Sequence, residues 1–326
     1  MKKAFLVGPG KIVISQDTPS PVPVLKVQAC GICRTDRKGF RTPPSSMELP
    51  RILGHEVSGI LCRDFPELKL SQGDRVVLWP ALCCGRCRFC LSGRENLCSE
   101  ITLFGCHLDG GFADEIGLPS PLLNQLVFCP IPEILDFVQA SLAEPLGCVL
   151  HALGMAGAIR PSSLLILGAG LMGRLAGRAA RVLWPESDVH LYDLDERRLA
   201  NCRAEGGTDR LRSADLVFLA ASSREAFYTG LRHLEPGGLM ILFSGFSKQE
   251  REVFFDHNLL HRREQRLAGA YGCCPADMRQ ALDLMASGAI EVNDLVTQTI
   301  SLEQVEDELQ RQQTPNDYKT VIVDFA

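Results

Sequence analysis

Five cysteines lie within sixteen residues, from Cys83 to Cys98, and form the densest run of candidate metal ligands in the chain. Four of them have the spacing C-x2-C-x2-C-x7-C and are Cys84, Cys87, Cys90 and Cys98. Two glycines within the run let the backbone turn, so that four thiolates can face one centre, and Zn2+ favours a closed tetrahedral shell of this kind. A closed shell has no position for a substrate. The spacing therefore predicts a structural zinc in a lobe at 83–98, with Cys83 outside the ligand set.

A second metal site is indicated by Cys33 in the sequence ACGICRTD and His55 in the sequence ILGHEVSG. A soft thiolate and a neutral imidazole suit a zinc ion that acts as a Lewis acid. Asp36 and Glu56 are close to these ligands in sequence and could orient the imidazole. Spacing alone leaves Cys30 open as an alternative to Cys33.

A dinucleotide site is indicated by a short apolar strand at 164–167 that runs into the pattern G-x-G-x-x-G. The turn consists of Gly168, Gly170, Leu171, Met172 and Gly173. Such glycines allow a pyrophosphate to approach the backbone at the N-terminus of the following helix. A second strand ends at Asp193, where a carboxylate is expected to accept hydrogen bonds from the ribose hydroxyls. The carboxylate would repel a 2′-phosphate, so we predict NAD rather than NADP, with Arg198 reaching the adenosine from the side.

Composition narrows the class of protein. The chain has 326 residues, of which 46% are hydrophobic and 22% charged, which is enough for two globular domains. The net charge of −5 and the absence of a basic stripe argue against nucleic acid or anionic membrane as a partner. No apolar run reaches the ~18 residues of a membrane span, and the first residues lack a signal-peptide core. We therefore expect a cytoplasmic protein, in which the 14 cysteines favour metal ligation over disulfides.

Seven segments occur in the order CGICRTD, LGHEVSG, GDRV, the cysteine lobe, DGGFADEI, AEPLGCVLHAL and GAGLMG. In this combination the sequence resembles the zinc-dependent medium-chain alcohol dehydrogenases, and most of all their sorbitol, iditol and cyclitol (polyol) branch. The resemblance implies an α/β protein with a Rossmann doubly wound parallel sheet and a β-rich GroES-like catalytic domain. The implied boundaries are 1–145 for the catalytic domain with its zinc lobe, 146–272 for a Rossmann domain with a shortened third-strand region, and 273–326 for a return to the catalytic domain.

The resemblance also implies roles for individual residues. It implies a catalytic zinc held by Cys33, His55 and Glu144. It favours Cys33 over Cys30 and makes Glu56 a further candidate ligand. By the same resemblance, Thr35 begins a proton relay and Arg34 contacts the coenzyme pyrophosphate. The usual relay histidine is missing from the segment that follows, so the outer part of the relay is not defined.

The function that follows is an NAD-dependent zinc oxidoreductase acting on a secondary alcohol of a polyol, sugar or cyclitol, or on the corresponding ketone. The expected cofactors are NAD and two zinc ions per chain, and the resemblance suggests a homodimer or homotetramer. Two alternatives stay open. One is a non-catalytic nucleotide-binding relative that keeps only the structural zinc, and the other is a zinc-free reductase relative. Metal content discriminates between these alternatives and the enzyme.

Overall fold

A computed structural model describes residues 1–16, 22–246 and 251–325. The chain divides into two compact units. The first consists of Met1–Pro145 together with Cys274–Ala326, and the second is Leu146–Cys273. Among the described residues, no helix combines the length and the apolar character needed to cross a lipid bilayer.

Short strands dominate the secondary structure of the first unit, whereas strands and helices alternate in the second. The strands in chain order are β1 (Lys3–Gly8), β2 (Lys11–Ser15), β3 (Pro23–Ile32), β4 (Arg51–Ile52), β5 (Glu56–Leu61), β6 (Arg75–Leu78), β7 (Ala81–Leu82), β8 (Thr102–Leu103), β9 (Glu115–Gly117), β10 (Phe128–Pro130), β11 (Ser163–Leu167), β12 (Asp188–Tyr192), β13 (Ala214–Leu219), β14 (Leu234–Leu242), β15 (Arg266–Gly269), β16 (Val296–Ser301) and β17 (Lys319–Asp324). The helices are α1 (Arg34–Arg41), α2 (Phe137–Ser141), α3 (Ala143–Gly154), α4 (Leu171–Leu183), α5 (Glu196–Asn201), α6 (Arg224–His233), α7 (His257–Arg263), α8 (Pro275–Ala286) and α9 (Val305–Gln310).

The main sheet of the first unit has the strand order β10-β6-β5-β3-β17-β16, with β9 also paired to β3. Strand β3 is central and antiparallel to both β5 and β17. Its last residues pair with the first residues of both neighbours, because Gly31 lies opposite Glu56 and Ile32 opposite Thr320. Three segments distant in sequence therefore meet at one end of this sheet: the residues after β3, the start of β5 and the start of β17.

The second unit contains a five-stranded sheet in the order β12-β11-β13-β14-β15, and every pair in it is parallel. Its central strands are mainly apolar, as expected for a sheet covered on both faces. Leu164, Leu165 and Ile166 of β11 are completely buried. The predicted fold class, a parallel sheet of Rossmann type in the second unit and a β-rich first unit, is confirmed.

The edge of this sheet beyond β12 is short. A single parallel bridge joins Leu191 to Gly207, with hydrogen bonds from Leu191 N to Gly206 O (3.0 Å) and from Thr208 N to Leu191 O (2.9 Å). No helix lies between this bridge and the start of β13 at Ala214, a segment that the structure describes in full. The intervening residues are too few for a strand and a helix, so one bridge replaces a third strand.

Candidate active site and metal centres

The cysteine lobe lies between β7 and β8, which pair antiparallel at its base. The Sγ atoms of its four predicted ligands come within 4.8 Å of one another. Three of the distances are 3.5 Å for Cys87–Cys90, 3.6 Å for Cys98–Cys84 and 3.9 Å for Cys84–Cys90. Four sulfurs bound 2.3 Å from a tetrahedral centre would be about 3.8 Å apart. The donor set therefore fits a zinc ion in both chemistry and spacing.

Backbone amides in the lobe favour the thiolate form of these cysteines. Cys87 N donates to the Sγ of Cys84 (3.4 Å), and Cys90 N donates to the Sγ of Cys87 (3.5 Å). The amide of Cys90 lowers the pKa of the Cys87 thiol to about 6, whereas burial raises the pKa of Cys90. Cys83 lies beside Cys90, but it does not belong to the four-thiol set, and burial raises its pKa.

A second group of candidate ligands lies at the end of the main sheet where β3, β5 and β17 meet. One ligand atom from each of Cys33, His55 and Glu56 lies within 4.8 Å of the other two. Cys33 follows β3 directly, and the two other residues are at the start of β5. Cys30 lies within β3, completely buried in the hydrophobic core, and is not part of the group. The structure thus brings Cys33, and not Cys30, to the histidine.

Asp36 joins the two ligand-bearing segments through one carboxylate. Its Oδ2 accepts a hydrogen bond from Cys33 N (2.8 Å), and its Oδ1 accepts one from Gly54 N (3.1 Å) and lies 3.3 Å from His55 Nδ1. Burial by itself lowers the pKa of His55, but the carboxylate outweighs it and holds that pKa well above its usual range. Burial raises the pKa of Asp36, and the imidazole more than offsets this effect and leaves the value lowered. Nε2 of His55 is then the nitrogen left to bind a metal.

Lys319 is a residue of this site that the sequence analysis missed. Its Nζ donates to the Glu56 carboxylate (2.7 Å to Oε1) and lies 3.4 Å from Ile32 O, and both charged side chains are at most 2% exposed. Burial lowers the pKa of Lys319, but the Glu56 charge outweighs burial, so the pKa is raised. The only sequence signal was a lysine at the start of the apolar strand β17. Gly31 leaves the room for this pair, because a Cβ there would lie 1.9 Å from Glu56 Oε2.

The predicted coenzyme turn joins β11 to α4 in the second unit. Gly168 has φ +109°, which favours glycine, and a Cβ at Gly173 would lie 1.8 Å from Gly168 O. Gly170 is the residue before the first turn of α4, and no side chain caps that turn. Leu171 and Met172 begin the helix. The turn therefore presents a helix N-terminus behind close-packed glycines, which fits an anionic pyrophosphate.

Asp193 follows β12 and faces this turn. Its Oδ2 accepts a hydrogen bond from Ala169 N (2.8 Å), and its Oδ1 accepts one from Asp195 N (2.9 Å). Arg198 lies 3.6 Å from the same carboxylate and 3.9 Å from the Cβ that Gly170 would carry. Each carboxylate oxygen keeps a second lone pair, so ribose hydroxyls can still donate to Asp193.

Comparison with known proteins finds one matching family model and several relatives that cover almost the whole chain. The family model of the alcohol dehydrogenase GroES-like domain matches residues 23–127. A Haemophilus influenzae protein named "Uncharacterized zinc-type alcohol dehydrogenase-like protein" is 29% identical over 329 residues, covering 94% of this chain and 93% of that protein. By these comparisons the chain is similar to zinc-type alcohol dehydrogenases.

Two further proteins match over almost the whole chain. A protein of Arthroderma otae named "Probable D-xylulose reductase A" is 29% identical and covers 93% of this chain and 92% of its own. A crystal structure from Sinorhizobium meliloti, described as a zinc-binding dehydrogenase bound to NADP, superposes with a TM-score of 0.86. It is 29% identical and covers 99% of this chain and 98% of its own.

Three residues expected from the alcohol dehydrogenase resemblance lie outside the group of Cys33, His55 and Glu56. Glu144 is not in the three-residue group, although its charge helps to raise the pKa of Lys319. Arg34 and Thr35 form the exposed first turn of α1, where Thr35 N donates to the Sγ of Cys33 (3.5 Å). Their roles toward coenzyme and proton stay predictions.

Proposed function

We propose that the chain is a zinc-dependent oxidoreductase that transfers hydride between a secondary alcohol of a polyol, sugar or cyclitol and NAD. The observation that carries this proposal is the group of Cys33, His55 and Glu56, with Asp36 behind the imidazole. The group is separate from the four-thiol lobe. A zinc ion held by four thiolates has no open coordination position and can have only a structural role. A zinc ion held by three protein ligands keeps a position for substrate.

The residues of the chain divide the work at this site. A bound zinc ion would act as a Lewis acid that lowers the pKa of an alcohol, and NAD would accept the hydride. Cys33 and His55 would hold the metal, with Asp36 fixing the imidazole so that Nε2 faces it. Glu56 or Glu144 would complete the ligand set, and Lys319 holds the carboxylate of Glu56 in place.

Proton transfer is assigned to Thr35, on the first turn of α1. Its hydroxyl would take the proton from the substrate alcohol and pass it outward to solvent. The next residues, Arg37 and Lys38, occupy the segment in which the family's relay histidine would be expected. We therefore infer a relay that is shorter than the usual one and reaches water directly from Thr35.

The substrate class is supported by the similarity to a protein named as a D-xylulose reductase. D-xylulose is a ketose, and reduction of its carbonyl group produces a secondary alcohol. For the coenzyme, the carboxylate of Asp193 supports NAD. Arg198 beside it neutralises part of the charge that would exclude NADP, so we expect a preference for NAD and not an absolute requirement.

The test is a metal count combined with an activity panel. The purified chain should carry two zinc ions and reduce NAD in the presence of one or more polyols, cyclitols or sugar alcohols. Cys33→Ala should abolish turnover and lose one zinc while nucleotide binding survives. Cys62→Ala, a matched change at a half-buried thiol outside both clusters, should keep both properties. A wild-type chain with one zinc and no turnover would favour the non-catalytic relative.

We also propose a cytoplasmic location and a homodimeric or homotetrameric assembly. The location is supported by two sites that need reduced thiols, which a reducing compartment preserves. The assembly rests on the family resemblance. Light scattering of the purified chain measures it, and a monomer at micromolar concentration would refute it.

A further inference from the structure

Helix α1 carries much of the candidate catalytic metal site, yet its own sequence is poorly suited to hold a position. It has eight residues, RTDRKGFR, including an internal glycine and four basic side chains. An isolated helix of this length is unstable in water, and like charges three or four residues apart destabilise it further. Cys33 caps this helix and Asp36 lies in its first turn. Tertiary contacts must therefore fix the helix that positions them.

The strongest of these contacts is a buried ion pair to α9. Arg37 donates through one guanidinium nitrogen to the Glu308 carboxylate and through another to the Glu308 carbonyl oxygen. The side chains of the pair are 7% and 3% exposed. Arg41, one helical turn further along α1, is 3.5 Å from the carbonyl oxygens of Leu309 and Gln310 at the end of α9. The side of α1 that bears Arg37 and Arg41 is thus bound to a single partner helix.

This ion pair is connected directly to a candidate metal ligand. The backbone N–H of Arg37 donates to the carbonyl oxygen of Cys33 (3.2 Å), which is the first hydrogen bond of the helix. A shift of Arg37 therefore moves the backbone of Cys33. Asp36, one residue earlier in the helix, holds the His55 imidazole, so the same shift also disturbs the second ligand.

The Glu308 carboxylate is also connected to Glu56, the third candidate ligand, through two adjacent residues of β17. Oε1 of Glu308 accepts a hydrogen bond from Thr320 Oγ1 (2.9 Å), at the start of β17. The preceding residue, Lys319, donates to Glu56. Arg311 donates to both carboxylate oxygens of Glu308, at 2.8 and 3.0 Å, and so fixes its orientation. One buried carboxylate is therefore linked to the segments that carry all three members of the ligand group.

We propose that Glu308 is a positioning residue for the catalytic zinc: by holding Arg37 and Thr320 together, it sets the affinity of the Cys33, His55 and Glu56 group for the metal. The proposal rests on the proposed function, since it requires that this group binds zinc. Glu308 lies outside the ligand group and acts through the residues it holds. Residues that hydrogen-bond metal ligands directly change metal affinity by about 10–100-fold when they are replaced, and we expect the lower end of this range for Glu308, which acts one residue further out.

The test is zinc affinity in Glu308→Gln, measured on the full-length, zinc-loaded protein by competition with a chromogenic chelator. The lobe zinc serves as an internal control in the same molecule. The variant should release one zinc at chelator concentrations at least about tenfold below those the wild type needs, while the second zinc is unchanged. With Co2+ in place of Zn2+, the absorption of the Cys/His/Glu site should shift and that of the tetrathiolate site should not.

Asp307→Asn is the matched control, because it removes the same charge from the neighbouring exposed position of α9. It should behave like the wild type. If Glu308→Gln does not fold, Arg37→Lys replaces it, since this change keeps the charge but loses the two-point contact, and it should weaken the same zinc. A variant with lowered thermal stability and two zinc ions of wild-type affinity would show a purely structural role and overturn the proposal. A wild type with only the lobe zinc would instead overturn the proposed function.

Discussion

Replacing Lys319 with methionine should leave the Glu56 carboxylate buried without its counter-ion. Methionine preserves most of the volume and the unbranched shape of lysine, so lost packing contributes little. Burial lowers the pKa of the Lys319 ammonium group, but the negative charge of Glu56 raises it by more. The pKa of Lys319 therefore lies above its usual value of about 10.5. A raised folded-state pKa means that the stabilisation is fully present at neutral pH and is lost only as the pH rises through the folded value. An experiment near pH 7 therefore measures the whole effect.

The magnitude follows from the separation and the burial of the two groups. Unit charges 2.7 Å apart attract by about 6 kcal/mol at an effective dielectric constant near 20. Desolvation offsets much of this attraction, and removing one partner of a buried pair costs about 3–5 kcal/mol. For a unit of roughly 200 residues, each kcal/mol shifts the melting temperature by about 2–4 °C, so Lys319→Met should lower it by about 6–20 °C.

The assay is urea unfolding, for the free energy, and thermal unfolding, for the melting temperature, of chelator-treated protein, both followed by tryptophan fluorescence. The chain has two tryptophans: Trp79, buried in the first unit, and Trp184 in the second. A Trp184→Phe background makes the signal report on the unit that contains Lys319, which avoids treating two units as a single transition.

The control is the double variant Lys319→Met with Glu56→Gln. It replaces the buried pair by two neutral side chains, so it should recover most of the loss seen in Lys319→Met alone. Two results would refute the reasoning. One is a loss below about 1 kcal/mol for Lys319→Met, and the other is a double variant whose loss equals the sum of the two single losses.

Four further outcomes are expected. Cys87→Ser should lose one zinc and loosen residues 83–98, with turnover per folded molecule largely kept; unchanged zinc content would contradict the structural-zinc assignment. Gly31→Ala should force the carboxylate of Glu56 aside and cost about 1–3 kcal/mol in urea unfolding, whereas the wild-type value would show that the Glu56 side chain relaxes freely. Burial raises the pKa of Asp317, but hydrogen bonds from Arg311 outweigh it and leave the value lowered, so Asp317→Asn should cost roughly 1 kcal/mol at pH 7. That difference should begin to shrink as the pH falls below about 4 and should vanish only below the lowered folded-state pKa; a constant difference would exclude the ionised carboxylate as its source. Asp193→Ser should reduce a preference for NAD over NADP that we expect to be about tenfold or more in kcat/KM; equal use of both coenzymes by the wild type would show that Asp193 does not face the ribose.

The predicted site residues that spacing alone brings together are those that are close in sequence or follow a fixed pattern. The four thiols of the lobe span fifteen residues, so the chain itself holds them near one another. The strand, glycine turn and helix around Gly168 form a continuous local unit, and Leu171 begins the helix as predicted. In both places the spacing of residue types predicts the local structure, because a short segment has few conformations that are compatible with that spacing.

Spacing could not choose between Cys30 and Cys33. The choice depends on where β3 ends, because a side chain within the strand alternates between the faces of the sheet, whereas the residue after the strand is free of that alternation. Cys30 lies within β3 and enters the core, whereas Cys33 caps the next helix and lies close to His55. A strand boundary is set by pairing with β5 and β17, which are separate segments of the chain.

The sequence by itself predicted the parallel sheet with its glycine turn, the four-cysteine lobe and His55 as a candidate ligand, and it left Cys30 and Cys33 as alternatives. Only the tertiary structure decided what surrounds those ligands. Lys319 is 263 residues from Glu56, and Glu308 is 271 residues from Arg37. Neither pair leaves a periodic or spaced signal, because a buried charge is tolerated only where the fold supplies its counter-charge, and that counter-charge can come from any position in the chain.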